Sequence, residues 1–317
     1  HLLSQDQRIT LRAFGSFYAQ IDLGSVSSFL DGLKYRVNFG PDITAYRNGV
    51  FLDGKSSARS GTSYAALNKD QTISYTLDHL LFYNKTVGDH NFGLTLLQSQ
   101  TQYNNEENSM SAAAIPNAAN KWNALTAANV TLAGYSSNLT ETGLLSYMAR
   151  VNYGYADKYL LTASGRYDGA SQLAPGNKWA FFPSTSLAWR LDKEEFLQNV
   201  TWVNQLKLRA GFGITGNAAI SAYATQPPLS GIVHPVGTGL TNNSILGNLD
   251  LGWEKTAQYN YGLDFSIFNS RISGSLEYYT SKTTDLLLSR SIPTVTGFAT
   301  TFENVGSTEG NGVELTL

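Results

Sequence analysis

A short glycine motif is the first candidate for chemistry in the sequence. Residues 211–216 read GFGITG and follow a predicted strand, as in the turn that holds the pyrophosphate of a dinucleotide. A dinucleotide site would also need a helix next and an acidic residue about twenty positions on. Two prolines at 227–228 follow instead, and no acidic residue occurs before Asp250. We therefore interpret the glycines as a strand end that enters a loop.

The other reactive side chains show no catalytic or metal-binding spacing. The four histidines are scattered through the chain: His1, His79, His90 and His234. The carboxylates define no glycosidase pair, and no G-x-S-x-G elbow occurs. The absence of cysteine excludes thiol catalysis, disulfides and thiolate metal sites. With a net charge of -2 and no run of Lys or Arg, we expect no enzyme, no cofactor and no nucleic-acid partner.

Aromatic side chains in the predicted loops are the remaining candidates for binding. Trp122, Tyr223 and His234 lie among small polar residues in the two longest loops, where they could contact a substrate or a partner. Trp179 and Trp253 fit an aromatic belt at a membrane interface better. The alternative for both loops is that they only shield the end of the fold.

The elements that would position these residues alternate with period 2. Around a short turn at 156–158, residues 145–155 and 159–167 place tyrosines, leucines and alanines on one face and polar residues on the other. The same pattern recurs over about eleven strands, and no stretch approaches 18 consecutive apolar residues. Period-2 strands flanked by tyrosines are typical of transmembrane β-strands. Charged residues make up only 15 % of the chain, against roughly 25 % in an average soluble domain.

The predicted connections alternate in length. Short turns lie near Gly88, Asp157 and Asn269, and long loops are predicted at 104–142, 169–178, 215–252 and 285–310. A short helix at 192–197 interrupts the tight side. Outer-membrane barrels have short periplasmic turns and long extracellular loops. Strand cations such as Arg150, Arg166 and Arg209 all fall on the polar face, as lipid on the other face would require, although a soluble sheet gives the same parity.

Seven segments of the later strands carry a recognisable pattern. They are RYDGAS (166–171), APGNKWAFFPS (174–184), LKLRAGFGITGN (206–217), LGWEKT (251–256), YNYGLDF (259–265), NVGS (304–307) and GVELT (312–316). These segments resemble the barrel of the SusC/RagA family of TonB-dependent outer-membrane transporters. They occur in the family's order and cover most of the chain. The resemblance implies an all-β, antiparallel transmembrane barrel of about 22 strands around a plug domain, located in the bacterial outer membrane.

The resemblance also implies a function and its partners. A member of this family would import glycan or peptide fragments with a SusD-like surface lipoprotein, and would draw energy from TonB. The sequence shows about half of the expected strands and neither a plug nor a TonB box. We therefore expect residues 1–317 to be a partial barrel from a longer chain, whose missing N-terminal parts contact TonB. Two alternatives remain open: a siderophore-type TonB-dependent receptor and a soluble all-β glycan-binding protein.

Overall fold

The computed structural model describes residues 3–126, 131–226, 229–234, 237–242 and 245–317. Parts of the predicted loops, including 127–130 and 227–228, therefore lie outside the described residues. The chain divides into two compact units. Unit 1 comprises His1–Tyr18, Asn38–Leu77 and Thr101–Gly143, and unit 2 comprises Ala19–Val37, Asp78–Gln100 and Leu144–Leu317.

Strands dominate the described residues. They are β1 (Ser4–Phe14), β2 (Phe17–Asp22), β3 (Leu33–Leu52), β4 (Tyr64–Val87), β5 (His90–Ala113), β6 (Thr131–Tyr155), β7 (Tyr159–Ala170), β8 (Trp179–Arg190), β9 (Val203–Asn217), β10 (Leu229–His234), β11 (Gly237–Asn242), β12 (Ile245–Leu246), β13 (Glu254–Ile267), β14 (Ile272–Thr284), β15 (Leu287–Ser291), β16 (Thr300–Asn304) and β17 (Ser307–Thr316). Single 3₁₀ turns lie at Leu23–Ser25, Ser28–Leu30, Lys121–Asn123, Leu191–Lys193 and Thr294–Thr296. No described helix has the length and apolar character needed to cross a bilayer.

One large sheet contains most of the strands. Its order is β1-β3-β4-β5-β6-β7-β8-β9-β13-β14-β17, and β2 continues beside β1 on the same neighbour, β3. Within the described residues the sheet therefore has eleven strand positions, as the alternation predicted. Neighbours follow chain order, and every pairing whose register is described in this sheet is antiparallel. The predicted all-β, antiparallel class is confirmed.

Tight turns connect alternate strand pairs. Residues 88–89, 156–158 and 268–271 are the whole connection in three of them. Ala156 and Asp157 adopt positive φ of 53° and 52°. In a short hairpin, positive φ at the turn matches the right-handed twist of the two flanking strands. The Ala156 N–H donates to Asp89 O at 2.8 Å, so two of these turns lie side by side. We call this edge of unit 2 the tight-turn end and the opposite edge the loop end.

The predicted loop bounds at the other end were partly wrong. The region 104–142 is mostly strand, because β5 runs to Ala113 and β6 begins at Thr131. Its polar side chains pair across strands: Thr72 Oγ1 donates to Asn105 Oδ1 at 2.7 Å, and Ser109 Oγ to Asn68 Oδ1 at 2.6 Å. With polar residues on both faces the period-2 signal disappears, although the backbone ladder continues.

The other long connections contain structure of their own. The region between β9 and β13 holds β10, β11 and β12, and the region between β14 and β17 holds β15 and β16. The predicted helix at 192–197 is a 3₁₀ turn, Leu191–Lys193, followed by hydrogen-bonded turns.

Candidate functional site

The apolar face of unit 2 is exposed. The register places Tyr147 opposite Tyr167, Val151 opposite Ala163, and Leu187 opposite both Leu161 and Ala210. The same face continues across the later strands. Its exposed large members are Tyr147, Val151, Tyr155, Tyr159, Tyr167, Trp179, Phe181, Leu187, Trp189, Leu208, Tyr259, Tyr261, Leu276, Tyr278, Val313 and Leu315. A soluble monomer rarely exposes an apolar patch larger than a few hundred Å².

The polar face of unit 2 carries a partly buried ion pair. Arg166 Nε lies 2.7 Å from Asp168 Oδ1, and Arg166 Nη2 donates to Ser146 Oγ at 2.9 Å. Ser146 is 1 % exposed and Asp168 is 9 % exposed. The RYDGAS segment therefore supplies a polar cluster that the register brings against β6.

A second charged network lies farther along the same face. Arg209 donates to Asp264 at 2.9 and 2.7 Å and to Glu277 at 2.5 Å, joining β9, β13 and β14. Lys207 Nζ lies 3.8 Å from Asp264 Oδ2. Charge-assisted pairs of this kind keep the ionised groups together on the polar face.

The two faces are thus inverted relative to a soluble sheet. In a soluble sandwich the tyrosine and leucine face would be covered and the arginine face would meet water. In unit 2 the apolar face is open, and buried Ser146 and Asp168 lie on the other. A lipid environment outside and a polar interior satisfy both faces.

Aromatic residues mark two levels of the apolar face. Near the tight-turn end, Tyr155, Tyr159 and Trp189 stack with centroid separations of 6.4 and 6.3 Å. Toward the loop end, Trp179 stacks on Tyr167 at 4.8 Å. Stacked Tyr and Trp at two levels are what the interfaces on either side of a hydrocarbon layer select.

A carboxylate fixes the aromatic residues of the tight-turn end. Glu194 Oε1 accepts from Tyr159 Oη at 2.7 Å and from Trp189 Nε1 at 2.9 Å, and Lys158 Nζ lies 3.2 Å from Oε2. These bonds to the charged form, led by the Tyr159 hydroxyl, lower the pKa of Glu194. Nearby, burial would raise the pKa of Asp192, but hydrogen bonds from Arg190 and the Leu206 N–H outweigh it and the net pKa is lowered.

We expect Glu194 to contribute acid-sensitive stability. Because its folded pKa is depressed, its contribution is present above the unfolded pKa of about 4.3 and is lost as pH falls through the folded pKa. Glu194→Gln should lower the unfolding temperature at pH 7, and the difference from the native protein should vanish in acid. Unfolding temperatures of the purified protein from pH 7 to pH 3 measure this. Glu195→Gln, at an adjacent carboxylate, is the matched control, and a gap of constant size would contradict the assignment.

The glycine motif belongs to the strand. β9 continues through Gly211 and Gly213 to Asn217, and a Cβ on Gly216 would overlap the rings of Phe182 and Trp253. These rings form a buried cluster at the loop end with Ala170 and Leu173. The residues around the motif therefore do not form a dinucleotide site, and Gly216 makes room for packing.

Two further segments of the resemblance hold the loops together. Asn304 Nδ2 donates to Gly252 O at 3.0 Å and to Asp285 O at 2.9 Å, and Asn304 Oδ1 accepts from the Gly252 N–H at 2.8 Å. Glu254 Oε2 accepts from the Leu287 N–H at 3.2 Å. Asn304 thus joins the connections that precede β13 and follow β14. In the sequence Asn304 is marked only as the first residue of the NVGS segment, which gives no indication of these contacts.

The structure does not assemble the three predicted contact residues into one site. Trp122 is 5 % exposed in unit 1, in a cluster with Phe51, Ala65, Ala112, Ile115 and Leu125. Tyr223 is 52 % exposed in unit 2, with a positive φ of 63°. His234 ends β10, and its side chain lies outside the described residues. Their roles as contacts stay predictions.

The predicted place in an aromatic belt fits Trp179 but not Trp253. Trp179 is exposed on the apolar face, in the stack described above. Trp253 is buried, and its Nε1 donates to Lys178 O at 2.9 Å. The belt assignment of Trp253 was therefore wrong, because the strand entry turns its ring toward Phe182. Among the described residues, no three His, Cys, Asp or Glu side chains are grouped to hold a metal ion.

Comparison with known proteins gives consistent matches. Residues 4–317 match the family model described as "TonB dependent receptor-like, beta-barrel". The chain is 35 % identical over 318 residues to TonB-dependent receptor P3 of Formosa agariphila, covering 99 % of this chain and 31 % of that protein. It is 31 % identical over 316 residues to TonB-dependent receptor SusC of Bacteroides thetaiotaomicron, covering 95 % of this chain and 30 % of that protein.

Solved structures share the fold to different degrees. The RagAB peptide transporter superposes with a TM-score of 0.89 at 24 % identity, covering 99 % of this chain and 34 % of that one. The ferric preacinetobactin receptor BauA of Acinetobacter baumannii gives 0.51 at 14 % identity, covering 98 % and 42 %. The chain spans about a third of the length of receptor P3, of SusC and of the matched RagAB chain.

Proposed function

Because this chain belongs to the TonB-dependent receptor-like β-barrel family, we propose that it supplies part of the barrel of an importer for nutrient oligomers. TonB-dependent receptor barrels are outer-membrane proteins, and this chain lies in that membrane. The proposed substrates are glycan or peptide fragments. Transport of this kind is binding and gating, with no covalent step carried by these residues.

The inversion of the two sheet faces carries the proposal. The exposed face of Val151, Leu187 and Tyr278 fits lipid, and the ion pairs of Arg166 and Arg209 fit a polar lumen. A soluble glycan-binding sheet would leave the first face uncovered in water. This observation disfavours the soluble alternative without reference to any relative.

Two observations favour a SusC-like importer over a siderophore-type receptor. The fold agrees with RagAB at a TM-score of 0.89, against 0.51 for the ferric preacinetobactin receptor. SusC itself is among the relatives above 30 % identity. RagAB is a peptide transporter, and its similarity to this chain supports peptides as one of the two proposed substrate classes.

The proposed partners follow from the similarity to SusC and RagAB. A SusD-like surface lipoprotein would cover the loop end, and TonB would supply energy through parts of the longer protein. The loop end holds the connections that contain β10, β11, β12, β15 and β16. Tyr223 and His234, which lie in the first of these connections, remain the candidates there for contact with substrate or lipoprotein.

Uptake by intact cells tests the proposal. Deleting the full-length gene should abolish uptake of one of two fluorescent substrate classes, either glycan oligomers or peptides. A protonophore should abolish the same uptake in the native strain. The deletion should leave uptake of ferric siderophores unchanged. Loss of siderophore uptake alone would favour the siderophore-type receptor. Recovery of the protein in the soluble fraction would overturn the proposal that it is a membrane transporter.

A further inference from the structure

The exposed face of unit 2 contains a groove of about 980 Å³. Its floor is at Ala210 on β9, which the register places between Leu187 on β8 and Tyr261 on β13. The small Ala210 side chain between two large neighbours creates the depression. The volume is at the upper end of the range for pockets that hold small molecules.

Rigid aromatic walls bound the groove. Tyr159 and Trp189 stack at 6.3 Å on one side, and both donate to Glu194. Tyr261 and Tyr278 stack at 6.5 Å on the other. The walls are therefore held in place by contacts within the protein before any ligand arrives.

The groove lining offers almost no polar partner. Leucines, alanines and aromatic rings supply it, and Arg209 contributes only its apolar and backbone part, because its guanidinium binds Asp264 and Glu277 on the opposite face. A sugar or a peptide backbone would find few hydrogen-bond partners there, because Tyr159 and Trp189 already donate to Glu194 and the Tyr153 hydroxyl bonds to His90. The chemistry fits a hydrocarbon chain.

The position of the groove selects one leaflet. On β9 the groove is lined only by residues 208–210, and the register places Leu208 opposite Trp189, in the aromatic level near the tight-turn end. Ala210 lies two residues farther along, which at about 3.3 Å per residue and a tilt of about 40° is roughly 5 Å along the membrane normal. This distance is less than half of the apolar band, which is about 25 Å tall. Short turns of outer-membrane barrels face the periplasm, so the groove lies in the periplasmic half of the bilayer.

We propose that this groove is a lipid site that holds an acyl chain of a phospholipid from the periplasmic leaflet. Its surface is continuous with the lipid-facing strands. Its size and its lining distinguish it from a second depression on the same face, which has a volume of about 520 Å³ and is lined in part by the polar pair Tyr35 and His79. The bound phospholipid would be retained when the surrounding lipids exchange.

Native mass spectrometry of the full-length protein tests the site. After stepwise detergent removal, the native protein should keep one phospholipid per chain, and Ala210→Trp, which fills the floor, should lose it. Ala163→Trp adds the same ring to the exposed face outside the groove and should keep the lipid. If Ala210→Trp does not assemble, Ala210→Leu replaces it. Equal retention by the groove variant and the control would overturn the proposal.

Cross-linking distinguishes a phospholipid from other possible occupants of the groove. A photoreactive residue in place of Tyr278 should label phospholipid in whole membranes. Labelling of lipopolysaccharide would overturn the leaflet assignment. Ala210→Cys uses a position in a segment without native cysteine, and a disulfide-linked dimer through it would show that a second copy fills the groove.

Discussion

Val151→Arg should prevent most of the protein from assembling in the outer membrane. Val151 is 45 % exposed on the apolar face, opposite Ala163 and between the aromatic levels of Tyr147 and Tyr155. Arginine near the bilayer midplane on this face costs roughly 2–4 kcal/mol. That cost corresponds to a shift of about 30- to 900-fold in the assembly equilibrium. The heat-modifiable, folded fraction of the full-length protein in isolated outer membranes measures the effect.

The adjacent position provides the control. Asn152 lies on the polar face, where Thr162 Oγ1 donates to its Oδ1 at 2.9 Å. Asn152→Arg adds the same side chain one residue away and should leave assembly nearly unchanged, because the charge meets the polar face that already carries Arg150 and Arg166. If both variants assembled equally well, the orientation of β6 would be wrong.

Strong periodicity made the membrane-spanning strands predictable. The hairpin of β6 and β7 follows directly from the alternation on both sides of residues 156–158. Because one face must meet lipid, a shift of the register by one residue would place the polar side chains there. The resemblance to SusC/RagA-type TonB-dependent transporters, found in segments such as RYDGAS, is confirmed by the match of residues 4–317 to the receptor barrel family. Location in the outer membrane is confirmed with it.

The sequence was less informative where lipid no longer constrains the strands. At 104–109 both faces are polar, so a continuing strand has the composition of a loop. The direction of a tryptophan at a strand entry depends on partners far along the chain, as Trp253 and Phe182 show. Asn304 belongs to a segment of the resemblance, but its hydrogen bonds appear only once Gly252 and Asp285 are brought beside it. These features depend on tertiary contacts that no local pattern records.

Trp122→Ala should release the connection between β5 and β6 from unit 1. The indole is buried against Phe51 and Leu125, and it covers Gly49 so closely that a Cβ on that glycine would overlap the ring. Removing a buried tryptophan side chain costs about 3–5 kcal/mol. Limited proteolysis of the full-length protein in intact cells should show new cleavage within 114–126.

Companion variants distinguish packing from ligand binding. Gly49→Val should produce the same cleavage, because it displaces the indole without changing Trp122 itself. Trp122→Phe keeps most of the apolar volume and should protect the connection, and Trp202→Ala, at an exposed tryptophan, should have no effect there. If Trp122 served mainly to stack on a substrate, Trp122→Ala would reduce uptake while the connection stayed protected. Cleavage that accompanies Gly49→Val as well as Trp122→Ala would assign the indole to the core of unit 1, with its effect on substrate exerted through the position of the loop.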